Sequence, residues 1–178
     1  SDALMSERTL NIVIGGEAGQ GLVTIGELLA KALVLTGYEI VVTQSYQSRI
    51  RGGHNTFTIR TSPEPIAAPQ EPIDLLVALN VETIELHRAE LSPRGLVIAD
   101  QEIALGDTEG LSVPFKKLAA ARYENVTALG AAACLLGLDQ ATAGGVLESL
   151  FGKKGQAVVE ENRKVLASAY QWTERELS

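Results

Sequence analysis

The chain has 178 residues, enough for a single domain with one sizeable core, and its 46% hydrophobic and 21% charged residues fit an ordinary globular protein. A net charge of -7 argues against general nucleic-acid binding, which needs a basic face to displace counterions. One cysteine, Cys134, excludes an intrachain disulfide framework and an iron–sulfur cluster held by the chain's own thiolates.

Ser1 to Leu4 reads as an expression scar ahead of Met5, so the expected domain is 5–178. There is no secretory signal pattern and no apolar run near the ~20 residues that span a bilayer, so a cytoplasmic protein is expected. Leu10 to Ile14 is short, β-branched and followed by glycines, which predicts a buried strand. From about Gln20 to Leu35 the pattern turns helical: Leu22, Ile25, Leu28, Leu29, Ala32 and Leu33 recur at three- and four-residue steps. Thr24 and Glu27 have capping-box spacing, which would start the helix slightly later, and Gly37 is placed to end it. A strand at Ile40–Val42 then completes a right-handed βαβ unit.

Thr56 to Arg60 alternates polar and apolar residues, as a half-exposed strand does. Ser62 to Pro72 holds four of the six prolines and is expected to be an extended loop across one edge. Ile73–Leu79 and Leu96–Asp100 read as strands, separated by a helix over Val81–Leu91 that Ser92-Pro93-Arg94-Gly95 ends. Leu111–Pro114 is a candidate edge strand. Helices are expected near Phe115–Tyr123, Val126–Leu136, Asp139–Phe151 and Gln156–Trp172, with Asp139 as an N-cap and Gly152 as a stop. The predicted fold class is α/β: a three-layer α/β/α arrangement with a mostly parallel sheet and a helix-rich C-terminal third.

Two glycine clusters carry the candidate chemistry. In Gly15-Gly16-Glu17-Ala18-Gly19-Gln20-Gly21, the glycines at 16, 19 and 21 miss the dinucleotide fingerprint GxGxxG, and there is no Gly-Lys-Ser/Thr of a Walker A loop. What remains is a strand-to-helix turn whose N–H groups favour an anion or a close polar partner, or simply a tight turn with no ligand. The second cluster, Arg49-Ile50-Arg51-Gly52-Gly53-His54-Asn55, joins two guanidinium groups to permissive backbone. Arginine suits phosphate or carboxylate, although a solvated loop is its commoner fate. The two histidines, His54 and His87, are far apart in sequence, and no Cys/His spacing suggests a metal site. Cys134 sits in an alanine- and leucine-rich run and reads as a small buried hydrophobe. Tyr46 and Trp172 are packing residues or interface anchors, and Glu17 has no sequence neighbour to complete a catalytic set. No Ser/His/Asp, Cys/His or paired-carboxylate constellation can be assembled.

Together these residues resemble a known family. Gly-Gly-Glu-Ala-Gly-Gln-Gly, then Gln-Ser-Tyr-Gln-Ser-Arg-Ile-Arg-Gly-Gly-His-Asn, then Ile-Asp-Leu-Leu-Val-Ala-Leu and Phe-Gly-Lys-Lys-Gly look like the gamma subunit or domain of 2-oxoacid:ferredoxin oxidoreductases. The version most resembled is the one in which gamma is fused ahead of alpha. The resemblance implies a complex that oxidatively decarboxylates a 2-oxoacid with coenzyme A, giving an acyl-CoA, CO2 and reduced ferredoxin. It implies a noncatalytic role for this chain, in assembly and coenzyme A docking, with no firmly bound cofactor. Thiamine diphosphate and iron–sulfur clusters would belong to partner subunits. The implied partners are alpha and beta subunits or domains, with ferredoxin reached indirectly and a homo-oligomer a further option. Nucleic acid and membrane are not expected partners. Gly16, Gly19, Gly21, Arg51, Gly52 and Gly53 match the family's motifs and are the implied coenzyme A contacts, with contact to the catalytic subunits as the rival. An independent nucleotide or acyl-CoA binding module and a purely structural subunit are the alternatives.

Overall fold

A computed structural model describes residues 9–47, 53–61, 72–119 and 123–178. Six strands form one sheet in the order β2-β3-β1-β4-β5-β6. They are β1 Asn11–Gly16, β2 Val41–Tyr46, β3 Asn55–Arg60, β4 Ile73–Ala78, β5 Leu91–Asp100 and β6 Gly110–Val113. β1 pairs in parallel with β4, β4 with β5 and β5 with β6. β3 runs antiparallel to both β1 and β2, so only β3 points against the rest. β1 and β2 therefore share a direction, as a βαβ unit requires, but β3 lies between them. The sheet is mostly parallel, as predicted.

Alternation along the central strands divides two cores. Ile12, Ile14, Leu75, Val77 and Ile98 face the larger one, shared with the helices α1 Leu22–Leu35, α4 Glu124–Leu135, α5 Gln140–Phe151 and α6 Gln156–Leu177. Val13, Leu76, Ala78, Val97 and Ala99 face the smaller one, which Ile84 of the short helix α2 (Val81–His87) covers. The helical layers are thus very unequal. α4 is buried from Val126 to Leu135, the mark of a helix enclosed on all sides. Cys134 lies in it, buried as expected, and desolvation pushes its thiol up to about 11.

Several boundaries differ from the sequence reading. α1 starts at Leu22, with Gly21 as its N-cap and no side-chain cap, so the Thr24–Glu27 box is not used. Its C-terminus is as expected: Gly37 N–H bonds Val34 O and Tyr38 N–H bonds Leu33 O, a Schellman closure. β2 runs on to Tyr46, and β5 begins at Leu91 because Ser92–Gly95 joins the strand instead of closing a helix. β3 is more buried than predicted, since Phe57 and Ile59 enter the large core while Thr56 and Thr58 stay half-covered. A short helix α3, Phe115–Leu118, replaces the longer one expected there, and α6 continues past Trp172. Asp139 is the N-cap of α5, without a side-chain bond to the helix backbone. The proline-rich segment at 62–71 lies outside the described residues.

Candidate functional site

Both glycine loops leave the sheet at the same end. β1 ends at Gly16 directly opposite Asn55, where β3 begins, so the first turn departs where the second cluster returns. The carboxyl ends of β4 and β5 lie at this end too. After β1 the chain crosses to the β2 side, and later to β4 on the other side. In α/β sheets this switch in direction is where ligand crevices form.

The first turn is closed by its own residues. Gln20 N–H bonds Glu17 O at 3.2 Å, Glu17 N–H donates to Gln20 Oε1 at 2.7 Å, and Gln20 Nε2 donates to Leu79 O at 3.2 Å. Leu79 N–H bonds Gly15 O, tying the ends of β1 and β4 together. Gly21 holds φ +82°, and a Cβ there would lie 2.0 Å from Asn125 Nδ2 of α4. The glycine is needed twice, for its backbone conformation and for the amide that packs on it. Gly19 also has positive φ, +89°, but faces open space.

Beside this turn a cleft of about 560 Å³ opens between the ends of β1, β4 and β5 and the start of α4. Gly19, Gln20, Asn80 and Asn125 give it neutral polar groups, and Asp100, Glu102 and Glu124 make it acidic. Lys116 forms an ion pair with Glu102 at 3.1 Å, and that hydrogen bond raises the Lys116 pKa. Such a lining repels phosphate. The Gln20 side chain, moreover, already takes up the Glu17 N–H that an anion would use.

On the other side of β1 the structure joins two residues that the sequence kept apart. His54 is 4% exposed, and its Nε2 lies 2.7 Å from Nε2 of His87 at the end of α2. His87 Nδ1 is 2.7 Å from Glu90 Oε2. The His54 ring and Thr83 pack over the bare Cα of Gly15, where a Cβ would lie 2.5 Å from Thr83 Cγ2 and 3.2 Å from His54 Cε1. His54 O also accepts Gln47 N–H, closing the base of the loop between β2 and β3. His87 and Glu90 line a groove of about 260 Å³ with Arg60, Thr56 and Thr58, on the sheet face away from α1.

Of the predicted site residues, Gly16, Gly19 and Gly21 form the first turn, and Gly53 stands half-buried next to His54. Arg51 and Gly52, with Arg49, lie outside the described residues. Sequence reasoning missed Gln20, Asn125, His87 and Glu90. The Gln20 contact was within reach, since an amide three residues after Glu17 can close such a turn. The rest depends on tertiary contact. Among the described residues no group of three or more His, Cys, Asp or Glu is arranged to hold a metal ion. None of their helices is long and apolar enough to cross a membrane.

Residues 11–172 match the family described as pyruvate ferredoxin/flavodoxin oxidoreductase. The chain belongs to that family. It is 29% identical over 174 residues to the 2-oxoglutarate synthase subunit KorC of Archaeoglobus fulgidus, covering 94% of this chain and 90% of that one. It is 30% identical over 91 residues to the alpha subunit of 2-oxoacid:ferredoxin oxidoreductase 2 of Aeropyrum pernix, where the match covers 51% of this chain and only 14% of the relative. The 2-oxoglutarate:ferredoxin oxidoreductase of Magnetococcus marinus, solved with 2-oxoglutarate, coenzyme A and succinyl-CoA bound, superposes with a TM-score of 0.80 at 25% identity. That match covers 96% of this chain and 32% of the other. The gamma subunit of a keto/oxoacid ferredoxin oxidoreductase from Geobacter sulfurreducens has the same fold, with a TM-score of 0.74 at 24% identity over 94% of this chain and 98% of that one. The same domain therefore exists both as a free-standing subunit and as a minor part of longer chains.

Proposed function

We propose that the chain is the gamma component of a 2-oxoacid:ferredoxin oxidoreductase complex that converts a 2-oxoacid and coenzyme A to an acyl-CoA, CO2 and reduced ferredoxin. Its part is assembly and the docking of coenzyme A, without catalysis of its own. The observation that carries this reading is the match over residues 11–172 together with the convergence of both family loops at one end of the sheet. The Magnetococcus protein, which this chain resembles over nearly its full length, was solved with coenzyme A bound.

The electrostatics give the docking a direction. Three carboxylates line the cleft by the first turn, so the phosphates of coenzyme A belong with the second loop, where Arg49 and Arg51 supply guanidinium charge. Gly16, Gly19 and Gly21 then meet the uncharged pantetheine amides or a partner's backbone. Assembly is supported by an apolar surface: Val34, Leu35, Val41, Val42 and Tyr46 are all exposed around the end of α1 and the edge strand β2.

Co-purification from its own cell under native conditions tests the reading. Thiamine-binding partners are expected to come with the chain, and a persistent monomer without partners would refute it. Titration of the assembled complex with coenzyme A should show binding that Arg51→Ala weakens at least about ten-fold, the scale of one charged hydrogen-bonding group.

A further inference from the structure

We propose that His87 and Glu90 are positioning residues: through His54 they fix the base of the second glycine loop against β1. The inference rests on the reading above, in which that loop meets coenzyme A.

The hydrogen-bond chemistry allows one arrangement for neutral rings. An ionised Glu90 only accepts, so His87 Nδ1 must carry the proton that lies between them, at 2.7 Å. A neutral His87 then presents a lone pair at Nε2. His54 must therefore donate its own Nε2–H across the second 2.7 Å gap. One carboxylate thus sets the tautomer of two rings in series, as second-shell carboxylates do for histidines elsewhere.

The geometry gives this relay something to hold. His54 lies at the entry to β3, with its backbone oxygen bonded to Gln47 N–H and its ring pressed on Gly15. Residues 47 and 54 are the two ends of the loop that carries Arg51, Gly52 and Gly53. Thr83 crowds the same bare Cα of Gly15, and its hydroxyl and backbone N–H are both held by Asn80 at the start of α2. α2 thus meets Gly15 through Thr83 at its start and the His54 ring through His87 at its end. A change at Glu90 would reach the loop without touching ligand.

Nitrogen-15 spectra of the imidazole rings in the 178-residue chain test the relay directly. In spectra taken where both rings are neutral, single tautomers are expected: His54 protonated at Nε2 and His87 at Nδ1. Averaged tautomers at either ring would overturn the inference whatever the function of the chain. His87→Gln keeps an acceptor for His54 Nε2–H, whereas His87→Leu removes it. In the assembled complex, His87→Leu is expected to raise KM for coenzyme A about three- to ten-fold, the scale of one lost hydrogen bond, with kcat retained. His87→Gln should restore KM to within about two-fold, less than that bond's worth. An unchanged KM in His87→Leu, or equal effects of the two variants, would overturn the positioning role. A wild-type chain that joins no thiamine-binding partner, with its tautomers still fixed, would instead overturn the functional reading on which the inference rests.

Discussion

Gly21→Ala tests whether the first glycine turn is built on steric necessity. At φ +82° an alanine pays a left-handed backbone cost of about 1–2 kcal/mol. Its Cβ would also lie 2.0 Å from Asn125 Nδ2 and 2.6 Å from Cγ, so the amide must leave its place on α4. Displacing it adds about 1 kcal/mol, at the low end for overpacking. The total, about 2–3 kcal/mol, predicts a Tm lower by roughly 4–12 °C for a domain of this size. Gly19→Ala is the internal control, because φ is +89° there but no atom lies within 4 Å of the added carbon. It should show the backbone cost alone. Thermal or urea unfolding of both variants, and of Gly21→Ala combined with Asn125→Ala, separates the terms. The double variant should recover the steric part as a coupling of about 1 kcal/mol. Equal losses at 19 and 21, or no coupling to Asn125, would refute the argument.

Two further outcomes follow from single contacts. Asn80→Ala removes the N-cap of α2, which accepts Thr83 N–H at 3.0 Å and the Thr83 hydroxyl at 2.6 Å, and should cost about 1 kcal/mol in urea unfolding. Burial raises the Cys134 thiol to about 11 and pushes the Tyr170 hydroxyl up as well. An acid whose folded pKa is raised stays protonated in the fold while the unfolded chain ionises, so stability is whole below the unfolded thiol's range of about 8.5 and falls toward pH 11. Cys134→Ala should flatten the first part of that fall in a pH series of unfolding midpoints.

The strands and helices of the βαβ half were legible because burial imposes periodicity. Ile12 to Ile14, Leu75 to Val77 and Val97 to Ala99 face cores on both sides, and they read as the short apolar runs that such strands must be. The ends of elements were less legible. Ser92-Pro93-Arg94-Gly95 has the composition of a turn, yet Gly95 lies where a Cβ would meet Ile73 O at 2.7 Å, so the strand requires what local propensity reads as a stop. The Thr24–Glu27 box has the right spacing but lost to Gly21, whose left-handed backbone starts the helix earlier. At the site, the glycines were visible from their clustering. His54 and His87 were not, because 33 residues separate them and only the packing of α2 on β1 and β4 brings them to 2.7 Å.

The exposed edge strand β2 gives the assembly reading its sharpest test. Edge strands of self-sufficient domains are protected by charge, proline, bulges or a covering element. Val41-Val42-Thr43-Gln44-Ser45-Tyr46 has no charge and no proline, and all six residues are exposed. Val34 and Leu35 at the end of α1, 52% and 69% exposed, add apolar side chains where the exposed stripe of the helix otherwise carries Glu27 and Lys31. A sequence under selection for an isolated monomer gains nothing from this arrangement, whereas a subunit gains a template for a partner. Val42→Lys places a charge on the strand without disturbing the core. Its cost to the folded chain should stay within about 0.5 kcal/mol, or roughly 1–2 °C in Tm. Recovery of partner subunits in native co-purification should fall sharply, with a lysine at an exposed helix position such as Glu160→Lys as the control. Full recovery with Val42→Lys, at unchanged stability, would mean that the complex is built on some other face.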